Sequence, residues 1–174
     1  MATSYSEVLG GAWQELPPAV QRCLTAPLVA HGSLKVYAPS SRTARAVARL
    51  IKLPPAGDDV KASVELREVG KDVEWVRTFD GMRAVSVQRL DRGALLETAE
   101  PFRLQLVPRV KGRALAISSG KLWIYGMPAP RWLGPAIKAK LSEGPDDVSW
   151  QVSVWIGHPW LGGFCEYEGV MRPE

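Results

Sequence analysis

Arg77, Ser86, Gln88 and Glu97 are the polar residues whose types and spacing suit chemistry in one place. Asp80-Gly81 lies between two alternating runs, DVEWVRTF and MRAVSVQRL. An Asp-Gly pair in that setting predicts a two-residue type I′ hairpin turn, because both central positions need positive φ. The turn fixes the register. Phe79 then faces Met82, Arg77 faces Ala84, Trp75 faces Ser86 and Val73 faces Gln88, all on one side. Glu74, Val76, Thr78, Arg83, Val85 and Val87 take the other side. The first side mixes large aromatics with a guanidinium, a hydroxyl and an amide. A plain core has no use for the polar groups, and a solvent face has none for the Trp and Phe. The mixture predicts the lining of a cavity.

Glu97 sits on the next expected strand, after the turn at Asp91–Gly93, and is the natural partner for Arg77. A buried guanidinium has to be paired, since removing one partner strands the other charge. Two roles stay open for the pair. It is a structural ion pair inside a barrel, or it anchors a carboxylate or enolate with Glu97 as general base or orienter. Ser86 and Gln88 would add directional hydrogen bonds to a ligand. Phe79, Met82, Trp123, Trp150 and Tyr167 are the further candidate lining residues beside Trp75.

Other chemistries find little support. No G-x-S-x-G elbow surrounds Ser86, and the two histidines, His31 and His158, fall in loop contexts, so a Ser nucleophile is not expected. No HExxH, CxxC or clustered carboxylates are present, and neither a metal nor a cofactor is expected. Cys23 and Cys165 read as two buried thiols of a reducing compartment.

Strands are the elements that must position these residues. After Ser6–Leu9, Trp13–Leu16 and a proline-started helix from Pro17 or Pro18 to about Thr25, a strand is predicted at Gly32–Ala38. Ser40 or Ser41 caps a helix over 42–53, with Ala46, Val47, Leu50, Ile51 and Leu53 as its apolar stripe. From Asp59 the period changes to two, with glycine turns at hairpin spacing, through Phe102–Val110, Arg113–Ser119, Leu122–Tyr125, Val148–Ile156 and Gly163–Val170. Trp132–Leu141 reads as a short helix or coil. The whole is a single domain over 1–174: an N-terminal helical segment (1–31) and a β-rich barrel (32–174) with one helix at about 42–53. The expected class is mainly β, an antiparallel β-barrel or strongly curved calycin-like sheet closed at one end by short N-terminal helices. The alternative is a helix-grip α+β fold, in which a curved sheet wraps a long C-terminal helix.

The 174 residues suffice for a real core, and nearly half of them are hydrophobic. The net charge of +4 is spread over scattered bases rather than an arginine-rich block, so no nucleic-acid partner is expected. No run of about 18 apolar residues exists to span a membrane as a helix. The N-terminal MATSYSEVLGG lacks the basic and apolar regions of a secretory signal, and a cytoplasmic location is expected. Seven tryptophans, half of all the aromatics, suit a barrel wall or a pocket.

GGAWQELPPAVQR, the LPPAG stretch, WVRTF-DG-MRAVS, LLE, LW-YGMPAPRWLGP and SW-VSV-IGHPWLGGFCEYEG together resemble the bacterial domain family of unknown function DUF4166. The likeness covers nearly the whole chain. The family pattern falls here on Trp75, Arg77, Phe79, Gly81, Ser86, Glu97, Gly126, Pro128, Pro130, Leu161, Gly162, Tyr167 and Gly169. In some members the domain follows a saccharopine-dehydrogenase-like domain, whereas this chain has no dinucleotide fingerprint. The resemblance implies a fold unit and no activity.

The functional expectation is a barrel that binds a hydrophobic small molecule with a polar or acidic head. A cofactor-free cyclase or isomerase of a polyketide- or terpenoid-like substrate in secondary metabolism, working by substrate positioning, is the first alternative. A non-enzymatic interaction domain that uses the basic helix Arg42–Lys52 is the second. The sequence leaves the oligomeric state open.

Overall fold

A computed structural model describes residues 3–50 and 53–174. The chain begins with helix α1 (Ser4–Leu9), a 3-10 turn (Gly10–Glu15) and helix α2 (Pro18–Arg22). Thr3 caps α1: the Ser6 amide donates to Thr3 Oγ1 at 3.1 Å, and the Thr3 amide donates to Ser6 Oγ at 2.8 Å. Two of the amides that a helix start leaves unpaired are thus satisfied. Strand β1 (Leu28–Tyr37) leads to helix α3 (Arg42–Leu50), whose Ala44 amide donates to the Ser41 hydroxyl at 3.0 Å. The predicted continuation through Ile51 and Lys52 lies outside the described residues.

Ten strands follow in a meander, β2 (Gly57–Val69), β3 (Asp72–Phe79), β4 (Met82–Asp91), β5 (Ala94–Ala99), β6 (Phe102–Lys111), β7 (Ala114–Ile124), the short β8 (Met127–Ala129), β9 (Ala136–Glu143), β10 (Trp150–His158) and β11 (Gly162–Pro173). Every pairing is antiparallel, and β1 pairs with both β2 and β11. The first half of β7 pairs with β9 and its last residues with β8, while β6–β7 completes the ring. Ten strands therefore close into an antiparallel barrel, with β8 appended to its rim. Closure leaves no long unpaired edge. Three strands occupy residues 136–173, so the sheet does not wrap a long C-terminal helix.

Alternation decides which side chains enter the barrel. Cross-strand partners share a face, and the register links Leu34–Val60, Ala62–Phe79, Val64–Arg77 and Leu66–Trp75 on the inside. Val36–Tyr167 and Tyr167–Val154 continue that layer on the far wall. Leu66, Leu95, Leu115 and Met171 are almost fully buried, each such side chain contributing about 1.5–3 kcal/mol. Tyr5, Trp13, Leu16, Val20 and Leu24 from the N-terminal helices belong to the same core cluster. They plug one end, hereafter the capped end, where β1 begins. Cys23 and Cys165 are buried free thiols. The opposite, loop end carries α3 and the connections at 80–81, 100–101, 125–135 and 159–161. There α3 lies outside the wall, packing Ala44 and Ala48 on Phe164.

Three segments differ from the sequence expectation. Strand β1 begins at Leu28 rather than Gly32, so His31 lies within a paired strand and not in a loop or in a helical segment over 1–31. Trp132–Leu141 is a 3-10 turn (Arg131–Leu133) followed by β9, not a helix. Ile137, Ala139 and Leu141 alternate there with Lys138 and Lys140, but the small alanines and Gly134-Pro135 weaken the period-two signal. Residues 114–124 form one strand rather than two, because a bulge absorbs the irregularity between Ser119 and Leu122.

Candidate functional site

The Asp80-Gly81 hairpin forms with φ of 45° and 86° at its two turn residues, and its register pairs Phe79–Met82, Arg77–Ala84, Trp75–Ser86 and Val73–Gln88. The mixed face points into the barrel. Inside it, Arg77 Nη1 donates to Ser86 Oγ at 2.8 Å and Nη2 donates to Glu97 Oε1 at 3.1 Å. Ser86 in turn donates to the same Glu97 oxygen at 2.6 Å. The hydroxyl thus bridges cation and anion. Among the described residues, Glu97 Oε2 receives only the Gln88 amide, at a long 3.4 Å. It is the carboxylate oxygen with room for another donor.

Burial opposes the Arg77 charge, but the Glu97 carboxylate outweighs it, with help from the nearby Tyr167 and Tyr5 phenols, and holds the guanidinium protonated. Tyr5, carried in by α1, has its phenol pushed well above the ordinary range, first by burial and then by the Glu97 charge. Burial likewise pushes Tyr167 up to about 12, against the pull of Arg77. The interior therefore holds one neutralised ion pair flanked by protonated phenols. Although they point inward, the Arg77 and Glu97 side chains keep 23% and 13% of their surface accessible. The space next to them is not filled by protein.

Trp75 stands beside this network, with the Arg77 guanidinium carbon 4.9 Å from its ring centre. Its indole Nε1 is buried and has no hydrogen-bond partner among the described residues. A buried donor without a partner costs about 1–3 kcal/mol. Trp75 and Gln88 also line a pocket of about 460 Å³ at the capped end, together with Tyr5, Leu24, Val73 and Leu90. That pocket opens at the rim beside α1.

The other predicted lining residues are dispersed. Phe79 and Met82 face inward but toward the loop end, with Phe79 tilted against Tyr167 at 5.4 Å between ring centres. Trp150 is buried at the capped end opposite Met171, as part of the core. Trp123 does not join the site. It pairs with Arg103 on the outer face, because the bulge shifts the alternation and sends Leu122 inward instead. Tyr5 was not among the sequence candidates. Its signal was the capped TSYSEVL turn, in which Tyr5, Val8 and Leu9 recur at helical spacing and mark a face that must be covered.

A family model described as a domain of unknown function (DUF4166) matches residues 16–171, and the chain belongs to that family. No curated protein matches the chain. Among solved structures, it is similar in fold to Rv2717c of Mycobacterium tuberculosis, at 14% identity and a TM-score of 0.50, over 91% of this chain and 99% of that one. A secretary abundant heat soluble (SAHS) protein of Ramazzottius varieornatus aligns at 8% identity and a TM-score of 0.44, over 86% and 95% of the two chains.

Proposed function

We propose that this DUF4166 domain binds an apolar small molecule through its capped-end pocket. The ligand's hydrogen-bond-accepting head would rest against Trp75 and its apolar body against Leu24, Val73 and Leu90. The observation that carries this reading is the buried, unpartnered Trp75 Nε1 beside a pocket of about 460 Å³. A buried donor without a partner is costly, and an acceptor brought by a ligand would repair it. Because Glu97 already neutralises Arg77, the interior offers hydrogen bonds more than net positive charge. A neutral carbonyl or hydroxyl head suits it better than an acid.

The Arg77–Ser86–Glu97 network supports the same role by holding the guanidinium against the Trp75 ring, behind the pocket lining. A positioning enzyme, of the cyclase or isomerase kind, is the second reading. It is favoured by Glu97 Oε2, which has room to take a proton from a bound molecule.

Nile red, a neutral apolar dye with a carbonyl oxygen, is a suitable probe. Its emission should rise and shift to the blue on titration with the protein. Trp75→Phe, which keeps the ring and removes the N–H, should weaken binding by about two- to tenfold, the loss of one neutral hydrogen bond. Absence of dye binding, or equal affinity of the two proteins, overturns the assignment.

A further inference from the structure

We propose that the loop end of the barrel docks on an anionic lipid surface. The observation behind this is where the largest apolar side chains stay in water. Tyr125 is 77% exposed, Trp160 71% and Met127 68%, and Trp132 and Leu133 are also exposed. All five project from the connections at 125–135 and 159–161, which share the loop end.

They are presented rigidly. Trp132 stacks on Trp160 with ring centres 5.1 Å apart, and His158 meets the Trp160 ring edge at 5.8 Å. His158 Nε2 lies 2.7 Å from the Trp132 carbonyl oxygen, and the Trp160 amide donates to His158 Nδ1 at 3.2 Å. Tyr125 is held at the tip of a tight turn, with φ of 50° followed by 78° at Gly126. A non-glycine residue in the left-handed region is uncommon, and here it lifts a phenol off the barrel rim.

Charge selects the partner. Helix α3 abuts the Trp160 loop, with the Ser40 amide donating to the Gly163 carbonyl at 3.1 Å and Leu161 packed against the Ala44–Phe164 cluster. Its sequence, RTARAVARL, carries no acid, and Arg42, Arg45 and Arg49 are exposed. Among the described residues of the loop-end connections, only Asp80 and Glu100 are acidic, and the Asp80 carboxylate accepts from the Lys61 amide at 2.9 Å. Trp and Tyr tips beside a cationic helix match the chemistry of a lipid interface: aromatic rings at headgroup depth and basic residues against anionic phosphates. A protein partner would need a shaped complement to scattered loop tips, and a lipid surface needs none. The ligand pocket opens at the opposite end, so the two proposals stand independently.

The test is co-sedimentation of the full chain with phosphatidylcholine vesicles and with phosphatidylcholine–phosphatidylserine vesicles. The chain should pellet with the anionic vesicles, much less with the zwitterionic ones, and be released by raised salt. Arg45→Gln with Arg49→Gln should weaken partitioning by about thirtyfold, the loss for two basic residues at an anionic surface. Trp160→Ser with Tyr125→Ser should weaken it as well, and these surface changes should leave the melting temperature where it is. The proposal falls if the wild-type chain does not pellet with anionic vesicles, or if neither pair of substitutions alters pelleting. It also falls if the wild-type chain self-associates and Trp160→Ser with Tyr125→Ser restores the monomer, which would assign the patch to a second copy.

Discussion

Arg77 is held in place by two neighbours, and each can be removed separately. Arg77→Met leaves Glu97 inside the barrel without its cation, and Glu97→Gln leaves the guanidinium without its anion. Breaking a buried pair from one side costs about 3–5 kcal/mol, so the lower part of that range is expected for side chains that keep 23% and 13% accessibility. Urea unfolding should show both single variants destabilised and the double variant Arg77→Met/Glu97→Leu recovering most of the loss. Destabilisation of the double variant by the sum of the two single losses would mean that the pair contributes little. The phenols make a second prediction. Tyr167 titrates near 12 in the folded barrel and Tyr5 is raised as well, against about 10 in an unfolded chain. Between those values the unfolded state loses protons that the folded state keeps. The phenols' contribution to stability is therefore intact below about pH 10 and is lost as pH rises toward 12. Tyr167→Phe should flatten that alkaline loss in unfolding curves measured at successive pH values. At this scale the sequence was informative where one short turn fixed everything. Asp80-Gly81 set the register, the register set the face, and Arg77 with Glu97 followed. The missing partner of the Trp75 indole could not be read, because an absent hydrogen bond depends on every element around it.

Elements are set by alternation, and alternation is legible only where side chains differ strongly across the two faces. Val60, Ala62, Val64 and Leu66 against Lys61, Ser63, Glu65 and Arg67 announced β2 plainly. In β9 two alanines stand in for larger residues, and the strand read as helix or coil. Trp123 shows the opposite failure. Its size marked it for the interior, but one bulge in β7 inverted the alternation and left it outside. Close packing of β1 on β11 gives a test of the register. A Cβ on Gly169 would lie 2.4 Å from the Ser33 carbonyl oxygen, and one on Gly32 2.2 Å from the Val170 carbonyl oxygen. Both obstacles are backbone, which cannot swing aside. Gly169→Ala should therefore destabilise the barrel by about 1–3 kcal/mol, the range for overpacking a filled interior, as read by the shift of the thermal midpoint.

The whole molecule is a meander closed on itself, with its N-terminal helices as a plug at one end and a basic, aromatic rim at the other. The plug is part of the core rather than a lid lying on it, since Trp13 and Leu16 pack with the barrel's own residues. Trp13→Ala should cost about 3–5 kcal/mol and lower the unfolding midpoint as a single cooperative transition. Closure itself was foreseeable from about eight to ten strand-like segments at hairpin spacing. Closure of one end by the N-terminal helices was expected as well, but the arrival of the Tyr5 phenol near Glu97 was not, because the residues that meet there are remote in sequence.

The central claim is that an outside acceptor completes the Trp75 indole. It is tested most directly by the indole N–H proton resonance of Trp75, assigned by its loss in Trp75→Phe and followed while 2-decanone, an apolar ketone, is added to the full chain. A downfield shift that saturates with binding, as a carbonyl oxygen takes up the free donor, is the predicted result. A Trp75 resonance that stays fixed while the ketone binds would contradict the account.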